Sequence, residues 1–166
     1  GKRLIALSQK ESRRRPSPQV DDAVANAVAN AHLYPDPEWA GLRNELAALH
    51  RIPASAILCG HGSMELIACL TQTYCDEQGA VLAPAHAYPF FLTAAGLARA
   101  RYDTAPEVGM TASVGALLAA VQPDTRIVFI ANPGNPTGTR IPRAELVRLR
   151  EGLRGDILLV VDEAYG

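Results

Sequence analysis

Residues 157–166 read ILLVVDEAYG (Ile157 to Gly166), and this run decides the fold class. A continuous apolar stretch of this length is a strand buried on both faces, as in a parallel sheet; a half-solvated strand would alternate apolar with polar. The strand delivers Asp162 to its carboxyl end, where a carboxylate in an apolar setting requires a cationic partner. Upstream, RIVFIA (Arg126 to Ala131) is a second such strand, running into NPGNPTG (Asn132 to Gly138), a loop of alternating rigid and polar residues. Two strand ends therefore offer Asn135, Asp162 and Tyr165 to one crevice.

Working outward, Ser17-Pro18 predicts a helix start, with the serine hydroxyl as cap and proline at the first helical position. Val20, Ala23, Val24, Ala27, Val28 and Ala31 then recur at helical spacing. The prolines of HLYPDPEW impose an extended turn, Trp39, Leu42, Leu46 and Leu49 begin a second helical stripe, and Pro53 closes the unit. From residue 55 the pattern alternates. A strand at Ile57-Leu58 enters GHGS, MELIACLTQTYC is a helix, and AVLAP is a strand. A helix over 89–98, a brief strand near 100–102, a helix over 113–121, RIVFIA, a helix over 142–151 and the final strand follow. This order predicts an α/β, three-layer fold with a mostly parallel sheet covered on both faces.

Sixteen basic and 17 acidic residues leave a net charge of −1, which gives no electrostatic reason to expect nucleic acid or a membrane surface. Cys59, Cys69 and Cys75 are odd in number and lack the paired spacing of a zinc or redox site, so they read as reduced thiols and no metal is expected. Leu4 to Leu7 is too short for a signal-peptide core, and no stretch approaches the ~20 apolar residues of a membrane span. A soluble, cytoplasmic protein is expected. Lysine occurs only at Lys2 and Lys10, against 14 arginines.

GHGSME (Gly60 to Glu65) lies at a helix start, where free N–H groups and the helix dipole suit a phosphate, with the Ser63 hydroxyl to help. Read alone, it is better taken as a glycine turn with Ser63 as an ordinary N-cap. It is neither a dinucleotide fingerprint nor a Walker loop, and no GxSxG elbow occurs. Tyr88, in PAHAYPFF, can stack on a planar ring or pack in the core; Phe90 and Phe91 read as core. NPGNPTG alone is a proline-stiffened turn, though one rigid enough to hold the Asn135 amide. An apolar strand ending in Asp-Glu also matches a Walker B strand, but with no phosphate-loop lysine a protonated pyridine nitrogen is the better partner for Asp162.

Together these segments resemble the class I/II aminotransferases, fold-type-I enzymes that use pyridoxal 5'-phosphate, and GHGSMELI resembles the GxGSxE turn of their histidinol-phosphate aminotransferase-like members. The resemblance implies phosphate contacts from Ser63 and the Met64 backbone. It places Tyr88 on the pyridine ring, Asn135 and Tyr165 at the phenolic oxygen and Asp162 at the pyridine nitrogen, with Asp162 and Tyr165 as the catalytic pair. Tyr34, in YPDP, would reach the phosphate of a neighbouring subunit, which implies a homodimer. The implied reaction moves an amino group between an amino acid and a 2-oxo acid. A decarboxylase of phosphorylated amino acids and a non-catalytic cofactor-binding module are the alternatives.

On this likeness, residues 1–52 are an N-terminal segment contributing to the small domain and dimer contact, and 53–166 are the first part of the large cofactor-binding domain. The family's cofactor-bearing lysine and carboxylate-gripping arginine follow DEAY, so the chain reads as an N-terminal portion, inactive alone. One departure stands out: KESRRRPSP (residues 10–18) replaces the family's NENPLGPSP, keeping Glu11 but introducing Lys10 and the Arg13, Arg14, Arg15 run beside the substrate.

Overall fold

The computed structural model describes Ser12 and residues 14–166; Lys2, Lys10, Glu11 and Arg13 lie outside the described residues. The chain divides into two compact units after Ala54.

The first unit carries α1 (Pro18–Val28) and α2 (Ala40–His50). Helix α1 begins with Pro18 where expected, but the Ser17 hydroxyl makes no capping bond. Its carbonyl does the work instead, accepting from Val20 N (2.9 Å) and Asp21 N (3.2 Å). The helix closes at Val28. The last expected stripe position, Ala31, falls in turns where Ala31 N–H reaches back only to Val28 O. Asp36 opens α2: its carboxylate accepts from Glu38 N at 2.9 Å and Ala40 N at 2.8 Å. Trp39 therefore does not begin the helix but precedes it, with φ at 53°. Arg51, φ 56°, ends α2 ahead of Pro53.

The second unit opens with a correction. Ile57-Leu58 forms no strand; among the described residues it has no ladder partner, and Leu58 is exposed. Then come α3 (Ser63–Tyr74), β1 (Ala80–Pro84), α4 (Phe90–Leu97), β2 (Arg101–Ala105), β3 (Glu107–Val108), β4 (Thr111–Ala112), α5 (Val114–Ala120), β5 (Thr125–Ala131), α6 (Arg143–Gly152) and β6 (Leu158–Asp162). The main sheet runs β2-β1-β5-β6, every pair parallel. Strand β2 is longer than its apolar signal, because pairing with all of β1 extends it to Ala105. The antiparallel β3–β4 hairpin was not foreseen. Its two-residue strands are too short to carry a periodicity.

Strand alternation sorts the core into two layers. Leu82, Val128 and Ile130 face Leu117 of α5 and Leu149 of α6. Val81, Ala83, Ile127 and Phe129 face Ile67 of α3 and Phe91 and Ala94 of α4. Phe91 stacks on Phe129 at 4.5 Å and 11°. The expected three-layer, mostly parallel α/β architecture is thus present, with helices on both faces.

Cys75 ends α3 and is buried, its thiol pushed up to about 11 by burial and by the neighbouring Asp76. Measured against an ordinary thiol at 9.0, that leaves about a hundredfold less thiolate at pH 8. Iodoacetamide labelling with peptide mapping should therefore modify the exposed Cys69 well before the buried Cys75; equal rates would contradict the packing.

Candidate functional site

Parallel strands finish on one edge, so Pro84, Ala105, Ala131 and Asp162 all lie along it. From β1 the chain goes to β2 on one side, while β5 lies on the other. The loops leaving β1 and β5 therefore diverge, and a crevice opens between them. Both segments singled out in the sequence, PAHAYPFF and NPGNPTG, are these two loops.

Asp162 pairs in register with Ala131. Leu158 and Val160 pack on the α3/α4 side, and the two-residue repeat of a strand places Asp162 on that same face. It is half-buried, and its Oδ1 accepts from Ala164 N at 3.0 Å, fixing the turn toward Tyr165. Tyr165 is 48% exposed. Tyr88 is half-buried on the α3/α4 side, edge-on to Phe91 at 5.6 Å and tilted against Phe90 at 6.3 Å. Its ring thus belongs partly to the core and partly to the edge.

Helix α3 reaches the same corner. Its last turn is at the opposite end of the sheet, where Cys75 Sγ lies 4.0 Å from Ala80 O at the start of β1. Twelve helical residues rise about as far as five strand residues. The α3 N-terminus therefore returns to the carboxyl edge. Gly62, at φ +94°, precedes the helix and is its N-cap, so Ser63 is the first helical residue and not the cap. Ser63 and Met64 are both exposed. Glu65 folds back to accept from the His61 backbone N–H and meets His61 Nδ1 at 3.0 Å. These bonds hold its carboxyl below the usual range. They support the turn above the ordinary carboxylate pKa and are lost as pH falls through the lowered one.

The β5 loop is built around a residue that sequence reasoning missed. Asn132 is buried; its Oδ1 accepts from Ile141 N at 2.9 Å and its Nδ2 donates to Ile141 O at 3.1 Å, closing the loop. Its backbone N–H donates to Asp162 O at 2.9 Å, tying the loop to β6. Within the loop Gly134 N–H donates to Thr139 O at 2.7 Å, and a Cβ on Gly134 would collide with Thr137 Oγ1. The bonds Asn132-Pro133 and Asn135-Pro136 are cis. Asn135 is half-buried and lines a cleft with Asn132, Thr137, Thr139, His86 and Glu107. The last two form a pair that no sequence signal marked.

Asp162, Tyr165, Asn135, Tyr88, Ser63 and Met64 are thus all carried to one edge of the second unit. Tyr34 belongs to the first unit and is fully exposed; Arg14 and Arg15, in the same unit, are exposed. Among the described residues no helix is long and apolar enough to cross a membrane, and no cluster of three or more His, Cys, Asp or Glu is placed to hold a metal.

The family model for aminotransferase class I and II matches residues 2–166. The histidinol-phosphate aminotransferase of Paramagnetospirillum magneticum is 45% identical over 98% of this chain, and that of Rhodospirillum rubrum 44%. The chain spans about 45% of the length of these curated relatives. The crystal structure of histidinol-phosphate aminotransferase from Sinorhizobium meliloti in complex with pyridoxal-5'-phosphate is similar over 90% of this chain and 41% of its own, with TM-score 0.86 and 30% identity. N-succinyldiaminopimelate aminotransferase from Mycobacterium tuberculosis is similar over 95% of this chain and 44% of its own, with TM-score 0.85 and 27% identity.

Proposed function

Because the chain belongs to the class I and II aminotransferases, we propose that the whole protein is a pyridoxal 5'-phosphate-dependent enzyme that moves an amino group between an amino acid and a 2-oxo acid. Asp162 carries this reading. Its half-buried carboxylate ends a strand whose preceding same-face residues, Leu158 and Val160, are apolar, so it suits a cationic ring nitrogen better than a solvated partner. The neighbouring residues fit the remainder of that cofactor. The exposed first turn of α3, with Ser63 and Met64, suits the phosphate; Tyr88 offers a ring for stacking, and Asn135 and Tyr165 offer polar groups for the phenolic oxygen. When bound, the cofactor supplies an electron sink for bond breaking at the amino acid's α-carbon. This chain's residues orient it and keep its ring nitrogen charged.

Four finer readings extend this one. The names of the curated relatives support histidinol phosphate as the amino donor. An added anionic group on the donor also agrees with the Arg14-Arg15 run, since guanidinium binds phosphate in a bidentate fork. The complete exposure of Tyr34 and the partial exposure of the apolar Val20, Val24, Val28 and Leu33 on the first unit support a homodimer in which Tyr34 reaches the other subunit's phosphate. The balanced composition and the three free cysteines agree with a cytoplasmic location. The division after Ala54 agrees with a first segment serving the small domain and dimer and a second opening the cofactor domain.

The test is a cofactor titration and a donor panel on the whole protein, read by absorbance and by 2-oxo acid formation. Stoichiometric cofactor binding with turnover of histidinol phosphate is expected. Release of carbon dioxide without amino transfer, or failure to bind the cofactor, would overturn the reading.

A further inference from the structure

The β3–β4 hairpin touches both loops that frame the crevice. At one end Glu107, whose side chain is only 6% exposed, accepts from His86 backbone N–H at 3.3 Å through Oε1 and meets His86 Nδ1 at 2.8 Å through Oε2. A carboxylate only accepts, so this ring nitrogen carries the hydrogen. At the other end Met110 O accepts from Thr139 Oγ1 at 2.9 Å, and Thr139 Oγ1 lies 2.8 Å from Thr137 Oγ1. Glu107, His86, Thr137 and Thr139 line the cleft together with Asn135. A charge buried to this degree is costly unless paired, so the His86 contact fixes the post-β1 loop wherever the hairpin sits. Tyr88 lies two residues beyond.

We propose that this hairpin is a brace that sets the spacing between the Tyr88 loop and the Asn135 loop, with Glu107 a positioning residue that acts through His86. The hairpin joins the two loops in series, His86 to Glu107 at one end and Met110 to Thr139 at the other, so breaking either bond interrupts the brace for both. This rests on the cofactor reading only in naming the ligand that senses the spacing.

The experiment uses the whole protein with Glu107→Ala, Glu107→Gln, Thr139→Val and the Glu107→Ala/Thr139→Val double variant. It measures amide hydrogen exchange in residues 85–88 and 133–139, and the affinity for pyridoxal 5'-phosphate by absorbance titration. Glu107→Ala should speed exchange in 133–139, the loop held at the hairpin's other end through Met110 and Thr139, and weaken cofactor affinity about tenfold, the scale of one charge-assisted hydrogen bond. Thr139→Val should speed exchange in 85–88. The double variant should be little worse than either single one, since either break releases the brace. Glu107→Gln keeps an acceptor for the His86 N–H and should recover part of the loss. Faster exchange confined to the loop whose own bond was removed, or a lower melting temperature with affinity unchanged, would overturn the brace. If the unsubstituted protein fails to bind the cofactor, the function reading falls, while the exchange pattern still decides the brace. Should Glu107→Ala not fold, Thr139→Val alone decides it, because its bond is solvent-accessible and its loss mild.

Discussion

Asp162→Ala in the whole protein should lower kcat/KM by on the order of a thousandfold or more, corresponding to about 4 kcal/mol or more of lost transition-state stabilisation. On the proposed reading, removing the carboxylate from the end of β6 would take away the group that holds positive charge on the cofactor's ring nitrogen, and with it most of the electron sink. The fold should tolerate the change. Asp162 is half-buried, its backbone pairing with Ala131 and Asn132 does not involve the side chain, and only the Ala164 N–H loses a partner. Steady-state kinetics should therefore fall while the unfolding midpoint stays nearly constant. Asp162→Asn keeps the acceptor for Ala164 and removes only the charge, so it should be nearly as damaged as alanine. Kinetics within a fewfold of the unsubstituted enzyme would remove Asp162 from the assignment.

The second large effect is on stability. Asn132→Leu should cost about 2–4 kcal/mol, measured by denaturant unfolding. It strands the Ile141 N–H and C=O, which the Asn132 amide satisfies inside the protein, and each unpaired buried group costs about 1–3 kcal/mol. Asn135→Leu, three residues on at a position only half-buried, should cost less stability and, on the proposed reading, should instead weaken cofactor binding. A reversal of the two would mean that the structural and ligand-facing asparagines of this loop have been exchanged.

Those two asparagines show what was legible in the sequence. The continuous apolar runs at 126–131 and 157–162 specified parallel strands, being too short for helices; burial on both faces held for β5 but not for β6, which ends the described sheet and is only half-buried. Asn135 and Asp162 were legible because strand ends in a parallel sheet must share an edge. Asn132 was passed over, because an asparagine at a strand end reads like any loop residue until its buried bonds to Ile141 are seen. Glu107 and His86 were invisible for a related reason. They meet only when β2 is laid beside β1, and neither has a neighbour in the chain that hints at the other. Ile57-Leu58 failed in the opposite direction: its residues are apolar enough for a strand, but a strand is a property of a pair. Ser17 failed because its own carbonyl already served the first turn.

The sheet's strand order has a consequence for how the protein reaches its native state. The main sheet contains no hairpin, so its central contact, Val81 beside Ile127, must be found across the whole of α4, β2, β3, β4 and α5. Closing so long a loop is paid for before the contact returns anything, and parallel pairings of this kind make collapse slow and entropically expensive. The crevice lies at that same β1–β5 junction. Each loop can be synthesised and locally ordered beforehand, but the place between them comes into existence only when the most distant partners in the sheet have met.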